Sequence, residues 1–431
     1  MANANRVWLR RSLLHLAMIN GPMPPDNWPK SSNEASRPVI VRLRLRLWFY
    51  RYRRLSSTIV VERSLSIGVE AAVKKKRLWA GVDLGVETAS VCVIDDAGEV
   101  LHERDCPSSA KDVSRALTGF RRTRFATIAF EAGTGAHVAR GLRSLGYPVE
   151  LYESRQLSKF LRARRSKTDA GDARGIAEAG RISVSLVSKV HLKSIDSQAL
   201  QSRLAIRRHL VRQRVAAVCM LGRQIEVFGG RLRTPARRVN FRAAAEAEIR
   251  KISRIGSTDL VEQLRYLADH CERLIEHQRS VDRALEQVAR ENDVCRRLME
   301  IPGVGPICAL TFYAAVDDPY RFLRSTDVGS YFGLAPRLHE SGLTAKKARI
   351  SKMGSRHVRA LLVRAASMYI QHCKRDAGLR DWALRLQYRL SRMPSRVALA
   401  RKLAVIMLAI WKSGDRFDPM YRLSINGGQK C

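Results

Sequence analysis

The chain has 431 residues, and its 78 lysines and arginines against 40 acidic residues give a formal charge of +38. Spread along the whole chain, that excess implies a polyanionic partner and favours nucleic acid over a membrane patch. An apolar share of 45% supports real cores and excludes a disordered basic tail, and no apolar run reaches the roughly 18 residues of a bilayer span.

Residues 1–75 read as a basic extension. Pro-rich GPMPPDNWP precedes Val41–Arg54, where arginines and apolar residues alternate, so a strand there would have one basic and one apolar face. It is either a phosphate-gripping arm or the product of an upstream start codon, and the ordered chain is expected to begin near Lys74.

Residues 76–185 carry an α/β pattern. Strand-like LWAGVDLG, ASVCVIDD and GEVLHERD come first, with a hairpin turn at Asp96–Gly98. A helix over Ala110–Phe120, the strand FATIAFEA, a helix over His137–Leu145, the strand PVELYE and the helix opened by KTDAGDA follow. Residues 186–297 are helical and charged. Leu260, Leu264, Leu267, Cys271, Leu274, Gln278, Val281, Leu285, Val288, Asn292 and Cys295 alternate by four and three, a heptad seam with two polar interruptions. Its length favours an intermolecular coiled coil over an internal hairpin with the helix carrying Leu200, Leu204, Val211, Val215, Val218 and Ile225. Gly229–Gly230 and Pro235 break the helices between the two.

Residues 298–418 form a basic, mostly helical domain, and 419–431 a tail. Pro302-Gly303-Val304-Gly305 before an apolar helix reads equally as a helix-hairpin-helix turn, with the Gly303 and Gly305 amides on phosphate, or as a packing turn between helices. YFGLAPRLHESG, the basic run TAKKARISKMGSRHVR, a helix over Val358–Ile370 and a last helix over Arg396–Trp411 complete it. The 8 cysteines form no CxxC pair, which fits reduced thiols in a cytoplasmic protein.

Four carboxylates carry the chemistry. Asp83 and Glu131 end apolar strands, and Asp169 and Asp172 share one face of a helix start. Acids brought together repel and are held mainly by a shared divalent cation, and oxygen-only ligands suit Mg²⁺ or Mn²⁺. Arg165 and Lys167 would hold the nucleic-acid strand beside them. The competing reading makes Thr168 or Asp169 a helix cap and Asp172 a dipole partner. Ser341 lies among cations (Arg337, Lys346, Lys347 and Arg349) that suit a hydroxyl attacking phosphorus, although a turn serine reads the same. Lys352 and Arg356 flank a turn suited to phosphate, before a helix.

Taken in order, Asp83, Glu131, the KTDAGDA pair, IPGVGP, FGLAPRLHESG and ISKMGSRHVRALL resemble the DEDD insertion-sequence transposases, relatives of the Piv-type DNA invertases. The resemblance covers about residues 76–415 and departs from the family at the first 75 residues, at LGVETAS and at EAGTG. It implies an RNase H/RuvC-like N-terminal catalytic domain, a coiled-coil insertion and a helical C-terminal transposase domain. It further implies that the four acids bind metal and that Ser341 forms a phosphoserine link to DNA. The partners it implies are element and target DNA, a structured guide RNA and further copies of the chain, dimers pairing into a tetramer. A hydrolytic RuvC-like junction nuclease and a non-catalytic nucleic-acid scaffold are the alternatives.

Overall fold

The computed structural model describes residues 77–133, 135–162, 168–182, 187–232, 240–254, 257–341, 344–373 and 378–418, with the backbone alone at 338–341 and 344–348. Contacts divide the chain into Met1–Lys74 and Lys75–Cys431, and all described residues belong to the second unit. The basic extension, including Val41–Arg54, lies outside them.

A six-stranded mixed sheet opens the unit: β1 (Leu78–Leu84), β2 (Thr88–Ile94), β3 (Val100–Pro107), β4 (Phe125–Glu131), β5 (Val149–Tyr152) and β6 (Lys189–Val190), in the order β3-β2-β1-β4-β5-β6. β1 pairs antiparallel with β2 and parallel with β4, and β4 pairs parallel with β5. The β2–β3 turn is made by Asp95, whose carboxylate accepts from the amides of Ala97 and Glu99, while Gly98 takes φ +90°.

Central β1 is covered on both faces. Leu78, Ala80 and Val82 pack with Val91 and Val93 beneath α1 (Ala110–Ala116) and α2 (Ala136–Ser144). On the other face α4 (Asp169–Ile182) crosses the sheet; α3 (Ser154–Leu161) precedes it. The approach is close because both surfaces are small. A Cβ on Gly81 would lie 2.1 Å from the Ala173 carbonyl oxygen and 2.3 Å from the Ala177 nitrogen, so only glycine admits the helix there. The alanines and glycines of α4 thus serve packing as well as helix propensity.

The helical half begins with α5 (Ile195–Val227), α6 (Phe241–Ile252), α7 (Thr258–Glu291) and α8 (Asp293–Met299). α7 has 34 residues, a rod of about 50 Å. Its heptad seam is covered within the chain, a correction to the intermolecular expectation. Leu264 and Cys271 pack with Leu221 and Ile225 of α5 and with Phe241 and Ile249 of α6, whereas Leu285 packs with Leu200 and Leu204 at the opposite end of α5. α5 and α7 are therefore an antiparallel hairpin. Of the polar interruptions, Gln278 is buried and donates to Asp282, which also pairs with Arg207 of α5. Asn292 leaves the seam: it ends α7 and caps α8, accepting from the Cys295 amide at 2.9 Å. Periodicity marks an apolar face; it does not say which helix covers it.

α9 (Pro306–Val316) is apolar on nearly every side and sits in the centre of the C-terminal core. Around it stand α10 (Asp327–Tyr331), α11 (Arg356–His372), α12 (Leu379–Leu390) and α13 (Arg392–Ser413). A two-stranded ribbon, β7 (Pro336–Ser341) with β8 (Thr344–Ile350), forms the second sheet. Burial pushes the thiols of Cys295 and Cys308 up to about 12, as expected of inert core cysteines, and the seven cysteines among the described residues are unbridged.

A candidate acidic active site

The carboxylates of Asp83, Glu131, Asp169 and Asp172 converge at one end of the sheet. Asp83 lies near the end of β1 on the face that α4 covers, since it shares its side of the strand with Gly81. Glu131 ends the parallel neighbour β4. Close packing of α4 on Gly81 brings the first turn of that helix, with Asp169 and Asp172, over the same end. Thr168 does the capping: its hydroxyl accepts from the Gly171 amide at 3.1 Å and its carbonyl from the Asp172 amide at 2.8 Å. The two aspartates are therefore not needed to start the helix.

The electrostatics record the convergence. Asp83 is half-buried, and its carboxyl is held above the ordinary carboxylate value, first by loss of water and then by the charges of Asp172, Asp169 and Glu131. Among the described residues none of the four pairs with a basic side chain. Nor do any three acids, histidines or cysteines among the described residues meet at metal-ligand spacing. The four acids share one electrostatic neighbourhood without closing into a ligand cage. Mutual repulsion across an oxygen-only donor set is the arrangement that a hard divalent cation relieves, so these residues fit such an ion.

Other expected site residues fall elsewhere. Arg165 and Lys167 lie outside the described residues. Ser341 ends β7, paired in register with Thr344 at the tip of the ribbon, a different sheet from the acids. Lys346 and Lys347 lie on β8 opposite His339 and Leu338; the side chains of these six ribbon residues lie outside the described set. Arg337 donates to the Ser351 carbonyl at 3.0 Å, and Arg349 and Arg356 are exposed. Gly303 has a packing reason: it takes φ +87°, and a Cβ there would lie 2.5 Å from the Ala365 carbonyl of α11. Gly305 precedes α9 in open space, beside a cavity of about 260 Å³ that Arg207 and Arg364 also line.

Lys352 takes φ +57° in a turn interlocked with FGL. A Cβ on Gly333 would lie 2.2 Å from the Met353 carbonyl, and one on Gly354 would lie 2.2 Å from the Tyr331 carbonyl. Sequence reasoning missed the side chain that fixes this turn: Arg359 donates to the carbonyls of Phe332, Met353 and Gly354 at 3.2, 2.7 and 3.1 Å. It also missed the joint between the halves. His191 and Ser194 bond Asp317 just past α9, and Lys193 donates to the Ala314 and Ala315 carbonyls at 3.0 and 2.7 Å. These partners stand more than a hundred positions apart, so no local pattern reveals them.

A mixed sheet of this order, with acids gathered at one end beneath a crossing helix, defines an RNase H-like domain, followed here by a mostly helical region. A family model described as Transposase, of the DEDD type, matches residues 80–227, and the model Transposase IS116/IS110/IS902 family matches residues 295–381. The chain is 32% identical over 352 residues to a probable family 20 transposase of Pseudomonas aeruginosa, covering 79% of this chain and 98% of that one. It is 31% identical over 302 residues to the transposase for insertion sequence element IS1328 of Yersinia enterocolitica, covering 68% and 85%. Against the transposase for insertion sequence element IS1111A of Coxiella burnetii it is 29% identical over 342 residues, covering 77% and 88%. The chain belongs to the IS116/IS110/IS902 family of insertion-sequence transposases, and it is a DNA transposase. No helix among the described residues is long and apolar enough to cross a membrane.

Proposed function

We propose that this transposase excises and inserts its element in the cytoplasm by metal-dependent serine recombination, with the four acids and Ser341 as its catalytic residues. The observation that carries the metal-dependent half is the charge crowding on Asp83 by Asp172, Asp169 and Glu131. Asp83, Glu131, Asp169 and Asp172 would hold Mg²⁺ or Mn²⁺, which would supply Lewis-acid polarisation of a scissile phosphate. The carboxylates would fix that ion in place, and Arg165 and Lys167, which precede the aspartate pair in the sequence, would pair with phosphates of the strand.

Ser341 then attacks phosphorus. The serine O–P bond forms as the bond from phosphorus to the 3′ oxygen breaks, and the serine's proton ends on that departing oxygen as a free 3′ hydroxyl, so the phosphodiester energy is kept in a 5′-phosphoserine link and rejoining needs no ATP. A hairpin tip suits this role because the ribbon pairs chiefly with itself. Arg337, Lys346, Lys347, Arg349, Lys352 and Arg356 contact the backbone, and so do Gly303 and Gly305 through amides of the turn before α9. On this reading a guide RNA supplies target sequence by base pairing. The acids of one subunit act beside the ribbon of another in a dimer or tetramer. Residues 76–185, 186–297 and 298–418 act as its three functional parts.

The test is covalent capture on labelled junction DNA with Mg²⁺ and the RNA of the element's end. Wild type should give a denaturation-resistant adduct that both Ser341→Ala and Asp169→Ala abolish. Cleaved DNA without adduct, insensitive to Ser341→Ala, would show water as the nucleophile and end the serine mechanism.

A further inference from the structure

Between the β6 edge of the sheet and the C-terminal core lies a cavity of about 870 Å³. Its walls come from α3, the link from β6 to α5, the first third of α5, the end of α9 and the turn leading into α11. Basic side chains from both halves line it. Arg155 and Arg208 are exposed, whereas Lys193, Arg321 and His357 are half-buried. The carboxylate that also lines it, Glu153, is committed to capping α3 through the Gln156 amide at 2.9 Å.

Part of this charge has a structural use. Lys193 binds the last carbonyls of α9, and Arg321 donates to the Val316 carbonyl at 3.1 Å while lying over the rings of Phe322 and Tyr331. The remainder does not. Arg155 and Arg208 have no anionic partner among the described residues. His357 is held below its ordinary value by burial and by the charges of Arg208 and Arg207, and Lys193 is lowered to about 8 by burial and by Arg321. Cations so crowded, with no uncommitted acid among the residues lining the cavity, make a site for an anion.

Position indicates which anion. Glu131 at the end of β4 stands in register with Tyr152 at the end of β5, and Ser154 of α3 bonds the Ala132 carbonyl just beyond Glu131. Arg155 therefore begins the cavity wall one strand over from the acidic cluster, at the same end of the sheet. A recess of this volume takes a short run of nucleotides of one strand, whereas a duplex would have to fit two strands into it. We infer that the cavity holds the phosphodiester backbone of a single strand running from the acidic cluster across the seam between the halves, with Arg155 and Arg208 on its phosphates. The inference rests on nucleic-acid binding by a transposase and not on the serine mechanism.

The experiment measures the salt dependence of binding for fluorescein-labelled single-stranded DNA and RNA oligomers of one sequence and for the DNA duplex. Full-length wild type is compared with Arg155→Ala/Arg208→Ala and with a control pair on the exposed face of α7, Arg273→Ala/Arg283→Ala. Each lost phosphate contact removes about 0.7 from the slope of log K against log salt for a single strand. The cavity pair should therefore lose about 1.4 on at least one single strand, more than the control pair loses, with the duplex slope unchanged. The single strand that responds, DNA or RNA, identifies the source of the phosphates. Unchanged slopes on both single strands, an equal loss in the control pair, or a loss on duplex alone would overturn the inference. The slopes are read without Mg²⁺ and without strand transfer, so failure of the catalytic reading is distinguishable from failure of this one.

Discussion

Asp83 and Asp317 are both aspartates drawn partly out of water, and their carboxyl groups shift in opposite directions. At Asp83 burial and three neighbouring carboxylates raise the value. At Asp317 burial also pushes upward, but hydrogen bonds from Ser194, Ser197 and His191 outweigh it and hold the carboxyl far below the ordinary range. The Ser194 amide donates at 3.0 Å, its hydroxyl at 2.5 Å and His191 at 2.7 Å. These bonds also hold Asp317 at φ +65°, a conformation that a non-glycine residue adopts only when its surroundings enforce it. One aspartate is a satisfied joint between the halves; the other is left repelling its neighbours where a cation would bind. Unsatisfied charge marks the place of chemistry, and satisfied charge marks the frame.

The largest effect that would break this comparison is on strand transfer. Asp83→Asn should lower Mg²⁺-dependent cleavage of junction DNA by about 10³-fold. The same change should raise the metal-free melting temperature. The Asp83 value is raised in the fold, so its ionisation costs stability as pH climbs through the carboxylate range, and the amide removes that cost. A lower metal-free melting temperature would mean that Asp83 is a structural residue like Asp317.

Gly81→Val tests how the cluster is assembled. With a Cβ 2.1 Å from the Ala173 oxygen, α4 must move off the sheet, at a cost of about 3 kcal/mol in denaturant unfolding. Activity should fall with it, because Asp169 and Asp172 travel with the helix.

Asp317→Ala should cost about 2 kcal/mol at neutral pH. Its sign with pH is opposite to that of Asp83. The contribution is present above the ordinary carboxylate value of 3.8 and disappears as pH falls through the depressed folded value. An acid titration of the variant should accordingly show a shallower loss of stability than wild type.

The smallest contrast lies within one motif. Gly305→Ala should stay within about 0.5 kcal/mol, since nothing stands within 4 Å of its Cβ. Gly303→Ala should cost more than about 1 kcal/mol, because φ +87° and the Ala365 carbonyl both oppose a side chain. Equal melting temperatures would refute the packing account of Gly303.

Local chemistry was legible in the sequence. Asp83 and Glu131 stood at the ends of apolar runs, and Asp169 and Asp172 at helical spacing, so strand ends and a helix face could be placed from periods of two and 3.6. The seam of α7 was equally visible as a pattern. The cover over it was not, since Leu264 is indifferent to whether Leu221 of its own chain or a leucine of another completes the contact. The ribbon of β7 and β8 escaped notice because its basic residues read as a charge run and its pairing is cross-strand. By itself the sequence determined the first five strands and the longer helices, that their partner is polyanionic, and which acids are candidates for a shared ion. Only the tertiary structure decided that α4 lies close enough at Gly81 to crowd those acids, that Asp317 is bonded from 123 residues away, and that cations from two halves face one cavity. Helix periodicity and charge are properties of neighbours along the chain. Closeness of approach and satisfaction of a carboxylate belong to neighbours in space, which the chain order does not disclose.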